Sequence, residues 1–413
     1  MTESKKYPNN LRLITENMPS LLSVSVGILV GAGSCLETKN INGISHFIEH
    51  VTFKGTKRFS STGLSEAFDD IGAQVNAFTS KEMTCYYVKS TKKQLERSVE
   101  LLSDMFLNSV YDDEELNREK GVVIEEINMS YDTPEDVCLD ALSQAFYGDE
   151  GLGQTILGDA DNINSFNRQT VLNYRDDYYN ADNIVISFAG NIDLKQADEL
   201  VKKYILPFIP DKKSKPFNVT TRKNLCGKIL KNKDVEQLHL ALGFSGLKYD
   251  DPQSTAVSVF NVALGSGMSS RLFQEVREKL GLCYTVYSYP SGYRDSGSMA
   301  IYAGLNSEGA NKAYDAIMRV LKGLKTDGLT EKELERAKAQ ILSSFEFGAE
   351  STASQMMLFG KYLLFTDKVF DCDKKIKDIN EITLTAVNDY VKNFDIDDFS
   401  LALIGKNAEK VKF

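Results

Sequence analysis

Residues 23–34 read SVSVGILVGAGS: apolar positions dominate eight residues and then give way to a glycine-rich turn, the pattern of a strand buried in a sheet. A similar run, EQLHLALGFSGL, occupies 236–247, with Gly31 answering Gly243 at an offset of 212. A second pair follows. NSVYDDEELNREKGVVIEE at 108–126 resembles TDGLTEKELERAKAQILSS at 326–344, with Leu116 matching Leu334, Arg118 matching Arg336 and Lys120 matching Lys338 at an offset of 218. The third pair is NYRDDYYNADNIVISFAGNID and DYVKNFDIDDFSLALIGKNAE, where Gly190 matches Gly405 at an offset of 215. Three pairs in one order at nearly one spacing indicate a tandem duplication. The expected halves are 1–212 and 213–413, joined through the polar stretch PDKKSKPFNVTTRKN at 210–224.

Within each half, short strand patterns (SVSVGILV, CYYVKS, NIVISFAG) alternate with longer amphipathic segments such as LSEAFDDIG, KKQLERSVELLSDMFLN and VLNYRDDYY. This predicts an α+β fold of two homologous domains, each a sheet packed against helices.

Composition agrees with that size. A chain of 413 residues that is 42% hydrophobic can fill two cores of roughly 200 residues each. The balance of 58 acidic to 48 basic residues, net −10, argues against a nucleic-acid surface. The opening MTESKKYPNNLRLITENMPS has no apolar run after its charges, and no later stretch has the length of a membrane span, so a cytoplasmic protein is expected. Cys35, Cys85, Cys138, Cys226, Cys283 and Cys372 are widely spaced with no CxxC pair, and read as reduced packing residues.

The chain has three histidines, and GISHFIEH at 43–50 holds two of them. The segment follows the turn-rich TKNING and carries apolar residues at helical spacing. On a helix, His46 and His50 lie about 40° apart, with Glu49 about 60° to the other side. Two imidazoles at i and i+4 can take adjacent corners of a tetrahedral zinc site, and the carboxylate can act on water at an open corner. A third protein ligand is then needed. LNREKGVVIEEINM offers Glu119, Glu125 and Glu126; Glu119 and Glu126 are two turns apart on one face, and Glu125 points about 120° away from Glu119. An ordinary solvated acidic helix would look much the same. The repeat decides between the two. In the second copy Glu119 becomes Ala337 and Glu126 becomes Ser344, and the counterpart of the HFIEH helix, STAVSVFNVAL at 254–264, has no histidine. Two copies share a scaffold, and the first alone keeps the imidazoles and acids.

HFIEH, with a glutamate 76 positions after His50, resembles the inverzincin metallopeptidases of family M16, in particular bacterial relatives of the mitochondrial processing peptidase β subunit. The likeness runs through HFIEHVTFKGTKRFS, IGAQVNAFTSKEMTCYY, LNREKGVVIEEI and SSRLFQEVREKLGLCYTVYS, over essentially the whole chain. It implies antiparallel-rich sheets of the processing-peptidase type, one Zn²⁺ per chain held by His46, His50 and Glu126, Glu49 as general base, and Glu119 supporting a ligating histidine. It implies further that Asn76, Ala77 and Phe78 receive an extended peptide by strand addition, that Phe53 and Phe78 wall the pockets on either side of the scissile bond, and that Arg277 and Tyr284 reach the substrate. Long M16 chains carry four homologous domains, so a two-domain chain implies a partner. With a complete zinc set a homodimer is the simplest assembly, a heterodimer with a related chain the alternative. The expected activity is endopeptidase hydrolysis of unfolded or extended peptides; the competing expectation is a scaffold subunit, although such subunits usually lose part of HxxEH. GAGSCLE (31–37) and GLKTDGLT (323–330) fall short of nucleotide-binding fingerprints and read as turns.

Overall fold

A computed structural model describes residues 2–219, 224–306 and 309–411. The expected linker therefore lies partly outside the described residues, at 220–223. Two compact units form.

The first contains β1 (Thr2–Lys6), β2 (Arg12–Asn17), β3 (Ser23–Val30), β4 (Gln74–Thr79), β5 (Thr84–Thr91) and β6 (Ile184–Gly190), in the order β1-β2-β6-β3-β5-β4. Only the β2/β6 pair is parallel. The central strand β3 is buried on both faces, which is why SVSVGILV reads as a nearly continuous apolar run. Its side chains alternate. Val24, Val26, Ile28 and Val30 point into a core shared with the helices Ile44–Thr52 and Leu95–Asn108. Ser25 and Gly27 face the other way, toward the helix Thr352–Thr366: Ser25 Oγ lies 2.9 Å from Thr352 Oγ1, and Met356 Sδ occupies the space a Gly27 side chain would need.

The second unit contains β7 (Lys228–Asn232), β8 (Leu238–Ser245), β9 (Cys283–Gly292), β10 (Gly297–Leu305) and β11 (Phe399–Gly405), in the order β7-β11-β8-β10-β9, again with one parallel pair, β7/β11. Leu238, Leu240, Leu242 and Phe244 of β8 point into its core. Ala241 and Gly243 face the helix Pro134–Tyr147, whose Cys138 thiol donates to the His239 carbonyl at 3.1 Å.

These two helices pack across the halves of the sequence. Besides the chain up to Ile127 and Thr155–Val219, the first unit takes Phe347–Phe370. The second takes Asn128–Gln154 along with the chain from 224 to Glu346 and from Asp371 onward. Each half of the sequence thus gives one helix to the other half's sheet, and the compact units are not 1–212 and 213–413.

The duplication itself is visible in the elements. Gly190 and Gly405 are the last residues of β6 and β11, both at positive φ. Leu116 and Leu334 are both buried near the starts of the helices Asp113–Asp132 and Glu331–Ala349. The pairing of Gly31 with Gly243 is off by three. Gly31 lies one residue past β3 and Gly243 lies inside β8, and matching the strand ends Val30 and Ser245 gives 215, the offset of the Gly190/Gly405 pair. GLKTDGLT is the end of the helix Ala310–Asp327 with Gly328 capping it at φ +73°, and residues 34–36 of GAGSCLE form a single 3₁₀ turn. Among the described residues no helix is long and apolar enough to cross a membrane.

Candidate metal centre

The helix Ile44–Thr52 turns Ile44, Phe47, Ile48 and Val51 into the first core, at the spacing of one helical face. His46, Glu49 and His50 are thereby left on the side away from that face. The helix Asp113–Asp132 is anchored by Leu116 and Val123, with Ile124 and Ile127 packed on the same core. Glu119 lies in this apolar stripe, 4% exposed. A carboxylate at a core position needs a partner. It has two: His50 Nδ1 lies 2.9 Å from Glu119 Oε1, and Lys54 Nζ lies 2.8 Å from Oε2.

With Nδ1 of His50 held by Glu119, its Nε2 faces Glu126 Oε2 at 3.3 Å. His46 Nε2 approaches the same oxygen at 3.5 Å. The two rings stand edge to face, centroids 4.5 Å apart. Bonds of about 2.0–2.1 Å to a tetrahedral zinc place donor atoms about 3.3–3.4 Å from each other, so the two imidazole-to-carboxylate spacings fit the ion, and all three donors lie within 4.8 Å of one another. The donor set, two imidazoles and a carboxylate, is also that of catalytic zinc sites.

Electrostatics follow the geometry. Burial, helped by the neighbouring His50, pushes His46 down to about 3, so its imidazole is neutral and able to ligate. Burial pulls His50 down as well, but the Glu119 hydrogen bond and the charges of Glu126, Glu119 and Glu49 outweigh it and leave His50 raised. Glu119 is also desolvated, yet its bonds to His50 and Lys54 hold it below the usual carboxylate range. Glu49 is raised, first by burial; the Thr79 hydroxyl, donating to its Oε2 at 2.6 Å, and His50 oppose that rise, while Glu126 adds to it. A partly buried carboxylate with a raised proton affinity beside a metal site is suited to accepting and returning a proton.

Of the expected site residues, His46, Glu49, His50, Glu119 and Glu126 come together. Glu125 is exposed on the other side of its helix. Asn76, Ala77 and Phe78 lie on β4, the edge of the six-stranded sheet, whose end residue Thr79 holds Glu49. Phe53 is partly buried against the core one residue beyond the histidine helix. Arg277 and Tyr284 belong to the other compact unit. Arg277 lies on a π-helical stretch, Phe273–Lys279, with its guanidinium 4.5 Å from the Phe273 ring and 5.0 Å from the exposed Tyr284 ring. His239, the remaining histidine, is in the same unit, bonded through Nδ1 to Tyr302 at 2.7 Å. Two contributors escaped the sequence reading, Thr79 and Lys54. Lys54 stands four residues after His50, a spacing that points to a shared partner; Thr79 had no signal beyond closing the NAFT segment.

Comparison with known proteins places the sequence in a family. The model described as insulinase, peptidase family M16, matches residues 12–160, and the one described as the peptidase M16 inactive domain matches 165–341. A Bacillus subtilis chain named as an uncharacterized zinc protease, YmxG, is 42% identical over 98% of this chain and 98% of its own. The chain belongs to peptidase family M16. Two solved structures share the M16 fold seen here. A peptidase M16 inactive domain from Pseudomonas fluorescens superposes with a TM-score of 0.92 at 20% identity, covering 98% of each chain. A protease from Helicobacter pylori gives 0.88 at 22%, covering 98% of this chain and 99% of that one.

Proposed function

We propose that this chain is a zinc-dependent endopeptidase that hydrolyses peptide bonds in extended or unfolded segments. The observation that carries the reading is the convergence of His46, His50 and Glu126, whose ligand atoms lie within 4.8 Å of one another with both imidazoles 3.3–3.5 Å from Glu126 Oε2, and Glu49 beside them. Zinc bound there supplies Lewis acidity, lowering the pKa of water to near 7 and polarising a carbonyl.

The chain's own residues do the rest. Glu119 takes the Nδ1 proton of His50 as a hydrogen bond and leaves the Nε2 lone pair free. His46 is neutral and has no proton to shed before it ligates. Glu49, steadied by Thr79, accepts a proton from water as the water oxygen bonds to the peptide carbonyl carbon. The same proton passes to the amide nitrogen as the C–N bond breaks, and a carboxylic acid and an amine leave. An extended substrate adds to the open edge of β4 at Asn76, Ala77 and Phe78, where main-chain bonds select conformation more than sequence. Family likeness assigns Phe53 and Phe78 to the pocket walls, Arg277 and Tyr284 to substrate contacts, and a homodimer to the assembly.

Metal analysis of purified protein should find one zinc per chain. Chelation should abolish cleavage of a quenched fluorescent peptide, and added zinc should restore it. A Glu49→Gln variant should keep its zinc and lose turnover by about 10²–10⁴-fold. Metal-free, inactive wild-type protein would instead favour a scaffold subunit.

A further inference from the structure

The histidine helix is nine residues long and begins at Gly43, which has no side chain with which to cap it. So short a helix has little stability of its own, and the backbone N–H groups of its first turn need partners. Gly43 sits in the left-handed region, φ +97°, and a Cβ there would come within 2.7 Å of the Leu157 carbonyl, so a capping Ser or Asp cannot replace it.

The cap comes from outside the helix. Glu37, six residues upstream and 5% exposed, accepts from the Gly43 N–H at 2.7 Å and the Asn42 Nδ2 at 2.9 Å through Oε2, and from the Ser45 N–H at 2.8 Å through Oε1. Ser45 is the residue before His46. The same GAGSCLE segment reaches the other side of the centre: the Ser34 and Cys35 N–H groups donate to the Ser80 and Lys81 carbonyls, next to the Thr79 that holds Glu49. A stretch that resembled a failed nucleotide loop thus ties the helix bearing three site residues to the strand end that steadies the base.

We propose that Glu37 is a positioning residue for the metal centre, its carboxylate fixing the start of the His46–His50 helix so that both Nε2 atoms meet Glu126. The partners of the Glu37 carboxylate are Asn42, Gly43 and Ser45, and it acts on the centre through the Gly43 and Ser45 N–H groups. A zinc site tolerates only about 0.5 Å of misplacement in its ligands, and a rocking of this helix about its first turn exceeds that at His50. The inference rests on the zinc-peptidase reading.

The test compares Glu37→Gln, which keeps the shape and loses one acceptor, with Asn42→Ala, which removes one donor, and with Val201→Ala, a core truncation in the helix Leu194–Tyr204 of the same unit. Zinc affinity is measured by competition with a chromophoric chelator, and apo stability by urea unfolding in EDTA. Glu37→Gln should weaken zinc about 10–100-fold and lower kcat with little change in KM; Asn42→Ala should weaken zinc several-fold and serves as the readout if Glu37→Gln does not fold. Val201→Ala should lose apo stability while binding zinc within about twofold of wild type. Normal zinc affinity in both Glu37→Gln and Asn42→Ala, or zinc loss in Val201→Ala that tracks its lost stability, overturns the proposal. Failure of the wild type to bind zinc overturns the peptidase reading instead.

Discussion

At the scale of single residues, the centre works by giving similar side chains different surroundings. Glu126 faces two imidazole nitrogens, Glu119 faces an imidazole N–H and an ammonium, and Glu49 is partly buried against a hydroxyl. Glu49 has its proton affinity raised and Glu119 has its lowered, and this separates a base from a support. The sign gives a test. Glu49 must be ionised to accept a proton, so activity falls as pH drops through its raised value, and the acid limb of kcat/KM lies above the ordinary 4.5. Thr79 is the leading influence that pulls this value down. Thr79→Val should therefore move the acid limb to higher pH, with about tenfold less activity on that limb for each unit moved, and leave the zinc content unaltered; a limb that stays in place would remove Thr79 from the base.

At the scale of elements, the sequence made some features plain and hid others for a physical reason. The strand and helix patterns of SVSVGILV, NIVISFAG and HFIEH were legible because burial on one side or both leaves a period in the residues. The donation of Thr352–Thr366 and Pro134–Tyr147 to the opposite sheets was not, because an amphipathic helix records that it packs and not on what. The clue is on the sheets: the faces receiving these helices carry Ser25, Gly27 and Ser187 in one unit and Ala241 and Gly243 in the other, small residues that admit a close helix. Gly360 completes the contact from the helix side; its Cβ would come within 2.8 Å of Leu29 Cδ1 and Ser187 Cβ. In a helix interior Gly→Ala ordinarily stabilises by roughly 0.5–1 kcal/mol. Here crowding should reverse the sign, and Gly360→Ala should destabilise by about 1–3 kcal/mol in urea unfolding. A stabilised variant would show that the helix does not sit this close.

At the scale of the whole molecule, duplication supplies an internal control for what the metal requires. Glu119 and Ala337 occupy matching positions on matching helices, three residues after the buried leucines Leu116 and Leu334, and both are buried. The second copy meets the packing demand of that position with a methyl group. If Glu119 served the fold alone, its site would need the charge; if it serves the metal, the second copy shows what remains when that demand is lifted. Truncating one partner of a buried pair is costly when the other charge stays buried, and Lys54, partly exposed, escapes that cost by turning to water. Glu119→Ala should therefore change apo stability by no more than about 1 kcal/mol in urea with EDTA present, and should weaken zinc about 10–100-fold in chelator competition, because the Nδ1 of His50 then has nothing to hold its ring toward Glu126. The reverse result, a collapse of apo stability with zinc binding intact, would make Glu119 a residue of the scaffold, and the loss of its counterpart in the second copy would then have no connection with the loss of the histidines there.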